Sequence, residues 1–259
     1  MSGSIRLERD GAVAQLIIDR PQKMNAITRE MAAALAAHCA EVDRDASVRV
    51  VLIRGAGERA FSAGSDLNAL ADPDPWALRN RVEYAAVVRN IQKPVVACLR
   101  GWVLGGGLEI ALGADIRIAG RGARLGAPEV TRGWIGGGAA SQMLPRLVGY
   151  GQAMLLLLSG QPIDAECALA IGLVEEVVDD DAVEARAETL ARSIAAFSPV
   201  ATQAVKAAVR AALSMPLDAG IRYENELHSL CFAARDHREG IAAFQQKRDA
   251  DFGGPGERQ

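Results

Sequence analysis

Apolar positions recur along this chain in two rhythms, and the second takes over in the last third. IRLER (5–9) and VAQLIID (13–19) are strand-like and flank Asp10-Gly11, which predicts a β-hairpin. Asp19-Arg20-Pro21 breaks the second strand. Met31, Leu35, Ala36 and Cys39 then repeat at helical spacing, predicting a helix over 29–43 capped by Thr28. VRVVLIRG (48–55) and PVVACLRG (94–101) are short β-branched runs closed by glycine, the pattern of strands buried on both faces. A helix over 75–92, with Pro75 in its first turn, is expected between them. ADIRIAG (114–120) repeats the strand pattern, and beyond residue 139 the periodicity predicts helices over 139–148, 150–159, 164–170, 182–196, 200–213, 217–232 and 237–248. Strands alternating with helices, then helices alone, predict an α/β core with a helical C-terminal extension. The tail GGPGERQ is expected to fray.

Composition narrows the class. The 259 residues suffice for one large domain or one with a small appendage. With half the residues apolar and only 4% aromatic, the core must be built from Ala, Val, Leu and Ile. A net charge of −3 argues against a nucleic-acid partner, which calls for a basic face. No apolar run approaches the roughly 20 residues that span a bilayer, and MSGSIRLERD lacks the apolar segment of a signal peptide. Cys39, Cys98, Cys167 and Cys231 show neither a C-x-x-C pair nor metal spacing, as expected of thiols in a reducing cytoplasm and of a chain without a metal site.

The candidate chemistry lies in glycine-rich turns. LGGGLE (104–109) follows a predicted strand and opens an apolar, helix-like run. The first N–H groups of a helix have no internal partner, and the dipole there favours negative charge. Glycine leaves those donors open to a ligand oxygen, and Glu109, three residues after Gly106, comes round beside whatever Gly106 binds. The same stretch also reads as a tightly packed helix start with an acidic residue complementing the dipole, worth roughly 0.3–1 kcal/mol. GGGLEI does not meet the G-x-G-x-x-G of a dinucleotide fingerprint. In FSAGSD (61–66), Gly64 precedes Ser65 and Asp66; a turn there offers the Ser65 N–H as a second donor, or is simply a polar turn capped by Asp66. Two converging N–H groups make an oxyanion hole.

FSAGSDL, LGGGLE and APEV with the glycines after it, in this order and spacing, resemble the enoyl-CoA hydratase/isomerase family of the crotonase superfamily. The likeness begins at DRPQKMNAIT (19–28), runs through LPRLVG (144–149), SGQPIDAECALAIGLVEEVV (159–178) and SPVATQAVK (198–206), and ends at FQQKRDADF (244–252). It implies an α/β spiral of repeated ββα units over residues 1–195, holding the coenzyme A and acyl sites. A helical trimerisation region would follow over 196–259, in homotrimers or dimers of trimers. It implies an acyl-CoA thioester substrate, with coenzyme A as part of the substrate and no further cofactor. The thioester oxygen would lie between the N–H groups of Ser65 and Gly106. Glu109 would activate water, and Glu129, in the Pro-Glu pair, would give a proton to the α-carbon. Lys23, Met24, Ala63 and Asp66 are expected at the coenzyme A side, with Phe244 and Lys247 at positions that touch it in relatives, sometimes across a subunit boundary.

Both glutamate positions are filled, which favours hydration of a 2-enoyl-CoA. The rivals are a double-bond isomerase in which Glu129 shuttles the proton, and a non-catalytic or RNA-binding homologue. The chain also departs from the family pattern. The place of Lys23 relative to Asn25 is not the commonest spacing, and Trp134 with Gly136, Gly137 and Gly138 stands where relatives read a proline and then G-A-G-G-T. Trp134 is expected either to narrow the acyl pocket or to fill the core. The stretch from Asn68 to Trp76, with two Asp-Pro pairs, lies where the family's variable loop shapes the acyl site, so acyl length does not transfer. No G-x-S-x-G elbow surrounds Ser62, Ser65 or Ser141, and His38, His228 and His237 lack catalytic partners in the pattern. Asp179-Asp180-Asp181 reads as a solvated turn.

Overall fold

The computed structural model describes residues 3–70 and 74–253. The hairpin forms as the pattern predicts: β1 (Ser4–Asp10) and β2 (Val13–Asp19) pair antiparallel about Gly11 at φ +57°. After a single 3-10 turn (Pro21–Lys23), Thr28 caps α1 (Arg29–Arg44), its hydroxyl accepting from the Met31 N–H at 3.2 Å. The chain then winds in a spiral, each turn laying down two strands. β3 (Val50–Gly55), β5 (Val95–Leu99) and β7 (Ile116–Gly120) join the hairpin in one sheet. β4 (Ala60–Ser62), β6 (Trp102–Leu104) and β8 (Arg124–Gly126) build a second, and helices separate the turns. The first sheet runs β1-β2-β3-β5-β7-β10, parallel throughout except for the hairpin, and ends in β10 (Glu176–Val178). In the second, β4, β6 and β8 are parallel and β9 (Ile163–Asp164) is an antiparallel edge. This is the spiral of ββα units that the motifs imply.

Helices cover the large sheet on both faces, so its strands are apolar without alternation. One face presents Leu16, Ile18, Val51, Ile53, Val95, Ala97 and Leu99 to Met31, Leu35 and Cys39 of α1 and to Leu108 and Ile110, all buried. The other presents Val50, Leu52, Val96, Cys98 and Ile118 to Val183, Ala187 and Ala191 of a later helix.

Several expectations are corrected. The helix expected over 75–92 is two short ones, α2 (Pro75–Arg79) and α3 (Tyr84–Arg89). Asn80 ends the first by turning both its N–H and its side-chain amide onto the Trp76 carbonyl, at 3.1 and 2.9 Å. The glycine run does not follow β5 directly: the chain turns at Gly101 (φ +60°), runs through β6, and then opens α4 (Gly106–Gly113). The three-residue strands of the second sheet are too short to carry a period. β9 and β10 likewise interrupt a region whose periodicity suggests helices alone. The predicted break near residue 149 is present, since α5 (Ala140–Ser159) kinks at Gly149 (φ +77°, ψ +163°). The remaining helices are α6 (Ala165–Ala170), α7 (Val183–Ala195), α8 (Pro199–Ala211), α9 (Leu217–Ala233) and α10 (Asp236–Gln246). Asp72-Pro73 and most of the tail lie outside the described residues. Among those described, no helix is long and apolar enough to cross a membrane.

Candidate active site

The three parallel strands of the second sheet end on one side of the molecule, and each delivers one part of the site. β4 leads to Ser65. A parallel bridge pins this segment to Ile27, whose N–H donates to the Gly64 carbonyl at 2.8 Å while the Ile27 carbonyl accepts from Asp66 N–H at 2.9 Å. Alternate amides of an extended segment point to opposite sides, so the Ser65 N–H faces away from Ile27. β6 leads to Gly105 and then to Gly106, the first residue of α4, whose N–H has no helical partner. β8 leads to the 3-10 turn Pro128–Arg132 that carries Glu129.

Close backbone approach holds these parts together. Gly64 sits at φ +89°, and a Cβ on it would lie 2.8 Å from the Gly106 nitrogen and 2.9 Å from the Leu104 carbonyl oxygen. No side chain fits there, and its absence sets Ser65 beside the start of α4. The glycine triplet has three separate neighbours. A Cβ on Gly105 would come within 3.0 Å of Glu129 Oε1, one on Gly106 would strike the Tyr84 hydroxyl, and one on Gly107 would run into the Ser62 backbone.

Glu109 is buried, 5% exposed. Its Oε1 accepts from the N–H groups of Gly138 at 2.7 Å and Ala140 at 3.3 Å. The glycines after Pro-Glu allow this contact: a Cβ on Gly136 would approach Glu109 Oε1 to 2.6 Å, and α5 opens only beyond Ala139, left-handed at φ +81°. Burial raises the Glu109 carboxyl above the ordinary carboxylate range; the two N–H bonds oppose it, the Glu129 charge adds to it, and Arg81 opposes it. Burial also raises Glu129, against its own backbone N–H and Arg132. Glu129 Oε2 is buried without a hydrogen-bond partner among the described residues. Of the two acids, one is held by two donors and the other has a free buried oxygen.

A cleft of about 410 Å³ opens on Glu129, and Lys23, Met24, Ala63, Ser65, Asp66, Gly106 and Trp134 also line it, while the buried Glu109 is not among its lining residues. The Ala63 N–H donates to the Met24 carbonyl at 2.9 Å, tying the two loops together. Asn25, wholly buried at φ +56°, fixes the same loop. Its Oδ1 accepts from Arg20 N–H at 2.9 Å, and its Nδ2 donates to the carbonyls of Ala56 and Ala60 at 3.0 and 2.7 Å. Asp66 pairs with Arg20 at 2.6 Å and caps Asn68 N–H at 3.0 Å, and it is held below the usual carboxylate range by Arg20 first. Trp134 is 41% exposed at the cleft, so it does not fill the core. Phe244 and Lys247 are not brought here: within one chain they lie on and just past α10, outside the cleft, with Phe244 85% exposed.

Sequence pattern passes over Tyr84, Arg20 and Arg132. Arg20 and Arg132 line the cleft, and the half-buried Tyr84 hydrogen-bonds through its hydroxyl to the Ser65 hydroxyl. The Arg20-Asp66 pair joins residues 46 apart in the chain and follows no period; Tyr84 lies in a segment whose spacing reads as continuous helix. The acidic run after β10 is structural, with Asp180 accepting from Gly122 N–H at 2.9 Å and Asp179 pairing with Arg121 at 3.2 Å.

Because burial raises Glu129, the native state holds its proton more tightly than the unfolded chain does. Folding stability therefore falls as pH rises through the window between the ordinary carboxylate value, about 4.3, and the raised native one. Glu129→Gln removes that loss. Thermal melts are expected to show the variant gaining on the wild type at about pH 8 and losing most of the advantage at about pH 4.5; an equal offset at both would contradict the account.

The enoyl-CoA hydratase/isomerase family model matches residues 8–255. A 2,3-dehydroadipyl-CoA hydratase of Escherichia coli is 38% identical over 96% of this chain and 98% of its own. A short-chain-enoyl-CoA hydratase of Clostridium acetobutylicum is 35% identical over 95% of each. The crystal structure of an enoyl-CoA hydratase from Bacillus anthracis superposes with a TM-score of 0.90 at 32% identity, covering 96% of this chain and 98% of that one. A match spanning nearly the whole chain, together with the spiral fold, makes this chain an enzyme of the enoyl-CoA hydratase/isomerase family, in the crotonase superfamily.

Proposed function

We propose that the enzyme adds water across the double bond of a 2-enoyl-CoA to give a 3-hydroxyacyl-CoA, which makes it a carbon–oxygen lyase. The observation that carries this reading is the buried Glu109 and the half-buried Glu129, differently held, near the backbone of Ser65 and Gly106, which come from two adjacent segments. The thioester oxygen lies between the N–H groups of Ser65 and Gly106. Glu109 takes a proton from water as its oxygen bonds to the β-carbon. The π electrons move through the α-carbon onto the thioester oxygen, where the two donors stabilise the charge; in other enzymes one such donor is worth roughly 2.7–4 kcal/mol. Protonated Glu129 then gives its proton to the α-carbon. Return of the proton from Glu109 to Glu129 resets the site, so the sum is one water added.

The surroundings support these roles. N–H bonds to a carboxylate favour its ionised form, and Glu109 has two, from Gly138 and Ala140, with Arg81 adding to them. Glu129, half-buried with one buried oxygen unpartnered, favours the protonated form that a donor needs. Names of hydratases among the relatives support the same reaction, although each acts on its own acyl group. Coenzyme A enters as part of the substrate, with Lys23 toward its phosphates and the loops of Met24 and Ala63 beside it; acid, base and backbone donors supply the chemistry. Buried free thiols at Cys39 and Cys98 fit a cytoplasmic setting.

The helical region assembles the chain into trimers. In one chain the 17-residue α9 buries no residue, and Leu217, Phe232 and Ile241 are all more than half exposed, an apolar surface that calls for a partner. Sedimentation at micromolar concentration is expected to give a trimer of the 27.3 kDa chain or a multiple of one; a monomer would refute the assembly.

Glu109→Gln is expected to slow hydration of crotonyl-CoA, followed by loss of the conjugated thioester absorbance, by at least about 10²-fold. Binding should change little. Wild-type activity is also expected to fall on acidification, at a pH above the ordinary carboxylate range, because the raised base loses its charge there. A loss of less than threefold in the variant would remove Glu109 from the mechanism and favour an isomerase in which Glu129 works alone.

A further inference from the structure

Tyr84 opens α3, which packs along α4, and its ring lies against the core. Its hydroxyl, however, reaches the two donor residues, just behind the residues that line the cleft. It hydrogen-bonds with the Ser65 hydroxyl and sits over the Cα of Gly106, where an added Cβ would strike it and lie 2.9 Å from Cε2 and Cζ. Ser65 and Gly106 are the two residues whose N–H groups were assigned above to the thioester oxygen. A phenylalanine would fill the same volume against the core, so packing alone does not call for the hydroxyl. Nor does the hydroxyl satisfy a buried carbonyl or a distant ion: its hydrogen-bond partner is the side chain of a donor residue.

We infer that Tyr84 is a further catalytic residue, a third donor to the thioester oxygen beside the N–H groups of Ser65 and Gly106, an assignment that rests on the reading of those two groups given above. With substrate bound, the Ser65 hydroxyl donates to the Tyr84 oxygen, which frees the phenolic O–H to donate to the oxygen that gains charge. A phenol, with an ordinary pKa of about 10, is a better donor to an oxyanion than an aliphatic alcohol. Burial, joined by the charges of Glu109 and Glu129, holds the phenol above its ordinary value even against Ser65 and Arg81, so the proton stays on.

The test uses the full-length enzyme and two readouts, kcat for crotonyl-CoA and the absorbance of bound para-dimethylaminocinnamoyl-CoA, which moves to the red as the thioester carbonyl is polarised. Tyr84→Phe is expected to lower kcat about tenfold or more and to lose part of the red shift, with probe affinity and melting temperature close to wild type. Ser65→Ala, which keeps its backbone N–H, is expected to lose part of both by releasing Tyr84. It carries the same test if Tyr84→Phe fails to fold, and the two changes together should cost no more than Tyr84→Phe alone. An undiminished red shift and kcat in Tyr84→Phe would overturn the assignment while leaving the two N–H donors standing, as would independent, multiplying losses for the two hydroxyls. A wild-type enzyme that binds the probe without a red shift would overturn the reading of the donors and this inference together.

Discussion

The site depends on one contact between backbones. Gly64, at the end of the first turn of the spiral, lies so close to the first residue of α4 that a single methyl group would meet the Gly106 nitrogen at 2.8 Å. Its φ of +89° is also a conformation that side chains disfavour. That approach puts one N–H from the end of a strand next to one from the start of a helix. In the proposed reaction both serve the thioester oxygen. The fold makes the approach possible because β4 and β6 are parallel neighbours, pairing Ala60 with Trp102 and Ser62 with Val103. The loops that follow them leave the sheet at the same edge. β8 adds Glu129 there by the same geometry, as parallel α/β architectures place ligands beyond the C-terminal ends of their strands.

Around this contact, burial and hydrogen bonding give two identical side chains different surroundings. Both carboxyls are raised by desolvation, but the backbone after Gly137 turns onto Glu109 and supplies the N–H groups of Gly138 and Ala140, whereas Glu129 keeps a buried oxygen unpartnered among the described residues. Leaving a buried polar atom unpaired costs roughly 1–3 kcal/mol. Two of the three glycines after Pro-Glu thus have a local reason, because side chains at Gly136 and Gly138 would collide with the Glu109 carboxylate.

Much of this was legible in the sequence, and what escaped has physical causes. Long periodic elements such as α1 and the β-branched strands of the large sheet announce themselves, since each buries a whole face. Strands of two or three residues hold no period, so β4, β6 and β8, the elements that aim Ser65, Gly106 and Glu129, were visible only through the glycine motifs at their ends. Ser65, Gly106 and Glu129 reach one cleft as those motifs imply, and Glu109 comes up beside them. Phe244 and Lys247 do not reach it within one chain. Tyr84 arrives from a segment whose helical period is broken by an asparagine turning back on its own backbone, a competition that spacing does not record. Arg20 and Asp66 meet across two loops for the same reason: a side-chain pair over that distance is fixed by the spiral and by Asn25.

The most direct test is Gly64→Ala, assayed with crotonyl-CoA beside the wild type, with melting temperature and probe binding measured on the same preparations. If two closely set N–H groups stabilise the charge on the thioester oxygen, a methyl group driven against Gly106 N will force them apart. kcat is then expected to fall by about 10²-fold or more in a protein that still folds and still binds the thioester. A folded Gly64→Ala enzyme that turns over within threefold of the wild type would contradict the account.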